Sequence, residues 1–575
     1  MKIEVRDIPP RAAWALEQAG VHPLLARLFA ARGVADKDDL DASLARLLPP
    51  SELLGAREAA TLLADAITAQ QKLCIVADYD CDGATACAVG IRGLKLLGAA
   101  HVDYLVPDRV VDGYGLTGPI AERVAARKAD VLITVDNGIA SLEGVAAARA
   151  AGLKVLVTDH HLPGTELPDA NVIVNPNQPG CNFESKSIAG VGVMFYVLMA
   201  LRAELRERGA FNGPAGQPKL DTLLPLVALG TVADVVRLDA NNRRLVAQGL
   251  RRIRAGQMPA GLSALFSVAG RDSSKATTFD FGFALGPRIN AAGRLADMTL
   301  GIELLLTDDA SRAAELAATL DGINRERREI EGGMREQAMQ MAEALIDPDE
   351  QTPPTALCVF DPEFHEGVVG IVASRLKDKL HRPTFVFAAS SAPGKEHELK
   401  GSGRSIPGFH LRDALDLIAK RHPGVLLKFG GHAMAAGCTI AEEHFDVFDQ
   451  ALQQVAAEWL DAATLMRRLA TDGPLAPEYR RADVVETLHR EVWGQGFAPP
   501  VFSEVVEVVS QRLVGEKHLA LKLRHQGQAV DGIWFGHSDP LPARVLLAFR
   551  LETDEWQGVR RVRFLVEGAQ VPSQD

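Results

Sequence analysis

Acidic residues recur where β-branched runs end. Asp78, Asp80 and Asp82 lie in DYDCDG directly after LCIVA, Asp136 follows DVLITV, and Asp159, His160 and His161 follow KVLVT. A further aspartate, Asp234, closes the apolar run PLVALGTVAD. Grouped carboxylates repel one another and are stable together when cations lie among them. Oxygen donors with one or two imidazoles suit Mn²⁺ or Mg²⁺ better than zinc, which favours more His and Cys. The chemistry in prospect is therefore metal-assisted.

Simpler readings exist for each group taken singly. D-x-D-x-D-G opens a calcium-binding loop, but the twelfth position of that loop needs a bidentate Glu and here is Val89, and a strand pattern rather than a helix precedes it. An acid after a strand also caps the helix that follows. Capping does not explain why three strand ends repeat the pattern. Cys81 sits among the acids, but its side chain is expected to alternate away from theirs, which leaves it a structural role.

The elements that must position these groups are legible from the alternation of short strand-like runs with helical ones. LCIVADYD, HVDYLVP, DVLITVDNG and KVLVTDHH, separated by helical stretches, predict βαβ units and a parallel sheet. The carboxyl ends of parallel strands share one edge, where open α/β folds bind ligands. Residues 189–201 (AGVGVMFYVLMAL) predict a buried helix, too short to span a bilayer. A Gly/Pro loop follows at 209–218. From Asp308 to about Leu345 the Ala/Leu-rich, charged pattern predicts a connector helix of ~55 Å, with a kink expected at Gly332 and Gly333. A Pro-rich break at 348–354 opens a second α/β region containing TALCVF, a helix from Val368 and TFVFAA. Beyond Pro500, five strand-like runs predict a small barrel or sandwich, and the first 70 residues read as helical.

Composition bounds the rest. The 575 residues predict roughly three to five domains at ~100–200 residues each. Net charge is −12, which opposes coating of duplex DNA by bulk charge and leaves room for local basic grooves. The six cysteines are scattered with no C-x-x-C pair, and no secretory signal is evident, so a reducing cytoplasm is expected, with no membrane association.

In order, DYDCDG, VDNG, DHH and GTVADVV resemble the DHH phosphoesterase family. With GPRINAAGR, KGSGRS and FGGHAMAAG downstream, the resemblance narrows to its branch of single-strand-specific 5′→3′ DNA exonucleases, from about residue 70 to residue 570. It implies an α/β fold with a parallel-sheet DHH catalytic domain over 71–307 after an N-terminal helical segment over 1–70. A connector helix over 308–347, a second α/β domain (DHHA1) over 348–465 and a C-terminal β-barrel of the OB-fold type over 466–575 complete it. It implies two ions, Mn²⁺ or Mg²⁺, held by Asp80, Asp82, Asp136, His160 and Asp234, with Asp136 bridging. Asp78 and Asp159 take supporting roles, and His161 faces the substrate phosphate. Other DHH branches carry a His four residues before the first Asp of the D-x-D pair; here that position is Val76.

The resemblance also places Arg109, Ser402 and Arg404 around a terminal 5′ phosphate, a pocket that would set polarity. Read from residues alone, Arg109 is equally a surface arginine, while the glycines of GSGRS allow close approach to a phosphate. GPRINAAGR lacks the Lys-Ser/Thr of a nucleotide-binding P-loop, so Arg288, Asn290 and Arg294 are expected along the strand's path. Gly430 and Gly431 are expected to open a helix whose N-terminus faces an anion, with His432 beside it. Tyr114 is a candidate for base stacking or for packing. The arginines at 243, 244, 251, 252 and 254 read as a solvated helix face. Of Trp534 and Phe535, adjacent in one strand, one is expected to face the core.

The expected substrate is single-stranded DNA, and the resemblance suggests single-strand-binding protein and a RecQ-type helicase as partners; no oligomerisation motif stands out, so a monomer is expected. Two other readings compete: a phosphodiesterase of short oligoribonucleotides or cyclic dinucleotides, opposed by Val76 and the extra barrel, and a non-catalytic replication scaffold, opposed by the intact set of acids and histidines.

Overall fold

The computed structural model describes residues 1–345, 354–556 and 559–572. The chain forms two compact units. The larger holds Ile3–Gly293, Asp297–Asp321 and the chain from Leu469 onward, and the smaller holds Met1–Lys2, Arg294–Ala296 and Gly322–Arg468.

The larger unit is built on a five-stranded, all-parallel sheet in the order His101–Leu105, Lys72–Ala77, Val131–Val135, Lys154–Thr158, Val172–Val174. Its central strands are continuous apolar runs because both faces are covered. Leu73 through Ala77 and Val131 through Val135 are all buried. One face carries the helices Cys81–Leu96, Gly190–Glu207 and Leu224–Ala233, the second of which contains the expected buried segment. These three pack closely because glycines remove side chains at their crossings: a β-carbon on Gly93 would lie 2.2 Å from Leu198, and one on Gly230 2.1 Å from Thr85 Oγ1. Asp80 stands at the N-terminus of the first helix and Asp234 at the C-terminus of the third, so this crossing brings two acid-bearing ends together.

The C-terminal strands close into a five-stranded barrel in the order Phe502–Val514, His518–His525, Gln528–Phe535, Val559–Gln570, Arg544–Trp556. Alternation is strict in His518–His525, which sends Leu519, Leu521, Leu523 and His525 inward. Of the adjacent pair, Trp534 is partly buried against the core and stacks on His537 at 3.7 Å, while Phe535 is exposed. The segment that leads into the barrel meets the N-terminal helix Pro23–Ala30 through Phe29, Trp493 and Phe497, whose ring centroids lie 5.5–5.9 Å apart. Here four of the five arginines depart from the expected solvated face, while Arg251 is exposed as that reading expects. Arg243 lies 4.2 Å over Phe497, Arg244 donates to Asp41 O, Arg252 pairs with Asp221 at 2.7 Å, and Arg254 donates to Ala276 O. A helix pattern shows which residues share a face but not that neighbouring segments present carbonyls to it.

The smaller unit carries a mixed sheet in the order Leu426–Gly431, Ala435–Ala441, Glu398–Arg404, Thr384–Ala389, Leu357–Phe360. Only the last pair is parallel. The helix expected after Gly430 and Gly431 does not form. Both residues belong to the strand Leu426–Gly431, and a hairpin turn through His432 returns the chain antiparallel, with His432 N donating to Ala435 O at 2.8 Å. Gly431 has φ +132°, and a β-carbon there would meet Ala435 O at 2.5 Å, so its glycine serves a tight hairpin.

The connector is one helix, Ala310–Ala344, of 35 residues, or ~52 Å at 1.5 Å per residue. The helix runs unbroken through Gly332 and Gly333. The Pro-rich break at 348–354 lies, but for Pro354, outside the described residues.

Candidate metal centre

Three of the five strands of the parallel sheet end on different parts of one acidic site. Asp78 follows Lys72–Ala77 and is buried; its Oδ1 accepts from Tyr79 N at 2.7 Å. Asp80 caps the helix Cys81–Leu96, its Oδ1 accepting from Gly83 N at 2.8 Å. Asp82, in the first turn of that helix, turns inward and accepts from the N–H groups of Gly190 and Val191 at 2.7 and 2.8 Å, the open N-terminus of the helix Gly190–Glu207. Asp136 follows Val131–Val135 with φ +60°, a left-handed backbone that Asp and Asn tolerate better than most residues.

Imidazoles complete the cluster. His160 Nε2 lies 3.0 Å from Asp136 Oδ1, 3.5 Å from Asp234 Oδ2 and 3.7 Å from Asp82 Oδ2. Three overlapping donor sets, Asp136/His160/His161, Asp82/His160/Asp234 and Asp78/Asp80/Asp136, each bring their ligand atoms within 4.8 Å of one another. Among the described residues no Lys or Arg forms an ion pair with Asp78, Asp80, Asp82, Asp136 or Asp234. Burial, and then the charge of Asp80, pushes the Asp82 carboxyl up to about 7; burial followed by neighbouring carboxylates holds Asp78, Asp136 and Asp234 well above the usual range. The charges of His161 and Arg109 reach Asp78 without bringing its carboxyl down to the usual range, and hard divalent cations compensate such repulsion with the oxygen-rich donors they prefer. Asp80, Asp82, Asp136, His160 and Asp234 all lie within these sets, and His160 and Asp136 each belong to two of the three. Val76 lies fully buried inside the sheet and brings no donor.

His161 is held differently. Its Nδ1 lies 2.7 Å from Asp159 Oδ1, and Asp159 in turn accepts from the N–H groups of Ile139 and His160. Burial favours the neutral ring, but the hydrogen bond and charge of Asp159, with Asp78 and Asp80, raise its pKa to about 9. Burial alone would raise the Asp159 carboxyl; the bond to His161 and the charges of both histidines hold it below the usual value. Tyr114 neither packs in the core nor stands alone as a platform: its OH donates to Asp136 O at 3.0 Å, and its ring meets Tyr79 and His161 edge-on. Arg109 is no mere surface residue, since its guanidinium lies 4.5 Å over Tyr79 and its charge reaches Asp78.

The residues expected along a strand path have internal partners. Asn290 Oδ1 accepts from Cys81 N at 2.7 Å, which braces the acid loop from behind, and Gly293 backs onto Tyr79 O, 2.0 Å from where a β-carbon would stand. Arg288 pairs with Asp321 at 3.0 Å, and in the smaller unit Arg294 donates to Gly367 O at 2.9 Å. Also in the smaller unit, Arg404 Nη1 donates to Ser402 Oγ at 3.0 Å, and both face the first turn of the helix Val369–Leu380. A β-carbon on Gly370 would stand 2.9 Å from Ser402 Oγ and 2.9 Å from Arg404 Nη2. Guanidinium and hydroxyl thus lie side by side at the start of that helix. His432 lies exposed in the hairpin turn of the same sheet.

Two glycines, one in each unit, carry no signal of residue type. Gly370 is one. Gly190 is the other: its N–H holds Asp82, and a β-carbon on it would lie 2.6–2.9 Å from Cβ, Oδ1 and Cγ of Asp136.

Known proteins resolve which family uses this edge. The DHH family N-terminal domain matches residues 72–231, the DHHA1 domain 354–458 and the RecJ OB domain 471–568. The chain is 46% identical over 558 residues to the single-stranded-DNA-specific exonuclease RecJ of Escherichia coli, covering 96% of each. The chain belongs to the RecJ family. The Thermus thermophilus RecJ is 34% identical over 562 residues, 96% of this chain and 76% of that one. A crystal structure of RecJ from that organism in complex with Mn²⁺ superposes with TM-score 0.83 at 32% identity, over 100% of this chain and 80% of the other, and one with Mg²⁺ with TM-score 0.77 at 30% identity, over 100% and 79%. The barrel is accordingly the RecJ OB domain. Family RecJ structures hold both metals that the donor set here suits.

Proposed function

We propose that this chain is a single-stranded-DNA-specific exonuclease that hydrolyses phosphodiester bonds from the 5′ end and releases 5′-mononucleotides, in DNA repair and recombination. The observation that carries the reading is the convergence of Asp82, Asp136, His160 and Asp234 on one another at the edge of the sheet, with no Lys or Arg among the described residues in an ion pair with them. Membership of the RecJ family supports the choice of single-stranded DNA.

Asp80, Asp82, Asp136, His160 and Asp234 would hold two Mn²⁺ or Mg²⁺ ions, which when bound acidify water and stabilise charge on a phosphate undergoing displacement. Asp82 is kept in place by two N–H groups and Asp136 by the backbone bond of Tyr114 to its carbonyl. Asp159 fixes the ring of His161 and favours its protonated form, so donation to a phosphate oxygen or to the departing 3′ oxygen runs through Nε2. Arg404 and Ser402, with Arg109, bind the terminal 5′ phosphate and thereby set polarity. In this reading the enzyme acts as a monomer in the cytoplasm, with single-strand-binding protein and a RecQ-type helicase supplying accessible strands.

Digestion of 5′-labelled single-stranded DNA, blunt duplex DNA and short RNA in Mn²⁺, Mg²⁺ or chelator tests it. Release of mononucleotides from the 5′ end of the single strand alone, and only with metal, is expected. Preference for short RNA, or equal rates on blunt duplex, would refute it.

A further inference from the structure

The segment ATTFDFGFALG between the arginine helix and GPRINAAGR contains three phenylalanines at alternate positions, and the fold treats them unequally. Thr278–Asp280 is a single helical turn that runs into a π-helical turn, Phe281–Leu285. Residues four apart share a side in such a coil, and the one between points away. Phe281 is accordingly fully buried, whereas Phe279 is 47% and Phe283 68% exposed. Their rings stack 4.6 Å apart at 24°. Among the described residues this is the only stacked ring pair with both members exposed. π-Turns are uncommon and concentrate at functional sites.

The platform abuts the end of the helix that leads to Asp234. Gly282, between the two exposed rings, sits against Val232, with 4.0 Å from a β-carbon there to Val232 Cγ1, and Val232 is two residues from Asp234. Val235, next to that ligand, is exposed with φ +60°. Cations lie close by: the Arg271 guanidinium is 5.7 Å over Phe279 and 3.6 Å from Asp280, Lys275 is exposed 3.9 Å from Asp272, and Arg237, three residues after Asp234, is exposed. Aromatic faces beside cations suit a polymer of bases and phosphates, and the stacking is indifferent to base identity.

We propose that Phe279 and Phe283 form a stacking platform for one nucleobase of the single strand whose phosphodiester lies at the metal centre. This rests on the single-strand exonuclease reading above and extends it to a positioning element beyond the catalytic groups.

A scan of 5′-phosphorylated oligothymidylates carrying one abasic site at successive positions tests it, with equilibrium binding measured in the full-length Asp136→Asn protein. At one position loss of the base is expected to weaken binding at least about fivefold. The Phe279→Ala/Phe283→Ala protein should bind the intact strand more weakly by a similar factor and show no further loss at that position; Phe283→Trp should restore the dependence. Unchanged affinity in the double variant, or the same abasic penalty with and without the rings, would overturn the platform even where the wild type digests single strands normally. A dimer in solution that the double variant dissociates, with strand affinity unchanged, would overturn it too, by assigning the rings to a second copy of the chain. Failure of the wild type to digest single strands would overturn both readings.

Discussion

A β-carbon on Gly190 would stand 2.7 Å from Oδ1 of Asp136, so the carboxylate at the centre of the acid cluster occupies space that any other residue at position 190 would fill. The same glycine's N–H holds Asp82 at 2.7 Å. One residue with no side chain therefore sets the position of two acids, one in a helix and one just past a strand.

Gly190→Ala is expected to displace Asp136 and loosen Asp82 together. Overpacking of this kind costs about 1–3 kcal/mol, and misplacement by an ångström near reacting groups costs on the order of 100-fold in rate. Hydrolysis of a single strand should fall by that factor or more while circular dichroism remains native. Wild-type turnover would show that the cluster tolerates the shift.

Asp136→Asn should abolish hydrolysis and, in chelator, unfold at a higher temperature than the wild type, because it removes a charge from among buried carboxylates. Asn suits the φ of +60° at this position, whereas Ala adds backbone strain of its own and confuses the comparison. A lower melting temperature for the Asn variant in chelator would contradict the repulsion.

Metal should stabilise the wild type. Mn²⁺ at a hundredfold above its dissociation constant adds about 2.7 kcal/mol per site, which scanning calorimetry reads as a rise of a few degrees. In Asp136→Asn that rise should shrink or vanish. An equal rise in both proteins would place the metal elsewhere.

Tyr114→Phe removes the bond to Asp136 O while keeping the ring. A hydrogen bond worth about 0.5–1.5 kcal/mol predicts a loss of roughly two- to tenfold in kcat. If only Tyr114→Ala has an effect, the ring's packing matters and the hydroxyl does not.

Arg404→Ala should weaken the preference for a 5′-phosphorylated end. A charged hydrogen bond to phosphate is worth about 1.5–3 kcal/mol, or roughly tenfold to a hundredfold. Rates on 5′-phosphate and 5′-hydroxyl strands give the ratio, and a ratio equal to that of the wild type would remove Arg404 from the pocket.

Much of the site was open to reading from local pattern. Strand runs alternate with helices, the acids follow the runs, and the ends of parallel strands share an edge, so Asp78, Asp136 and Asp159 had to meet; residue type then limited the ions. The five barrel strands were equally legible, because alternation and turns are properties of a few adjacent residues. What only the tertiary structure decided lies in contacts between distant segments. Asp82 is held by N–H groups more than 100 residues away, Asn290 braces the acid loop from behind, and the arginine series grips carbonyls rather than water. The glycines of FGGHAMAAG turned a hairpin rather than opening a helix, since partner strands outweigh local propensity. Gly190 and Gly370 could not be found in advance at all: a close approach between helices or strands is a property of packing, and a residue without a side chain announces no chemistry until the neighbour that needs its space is in view.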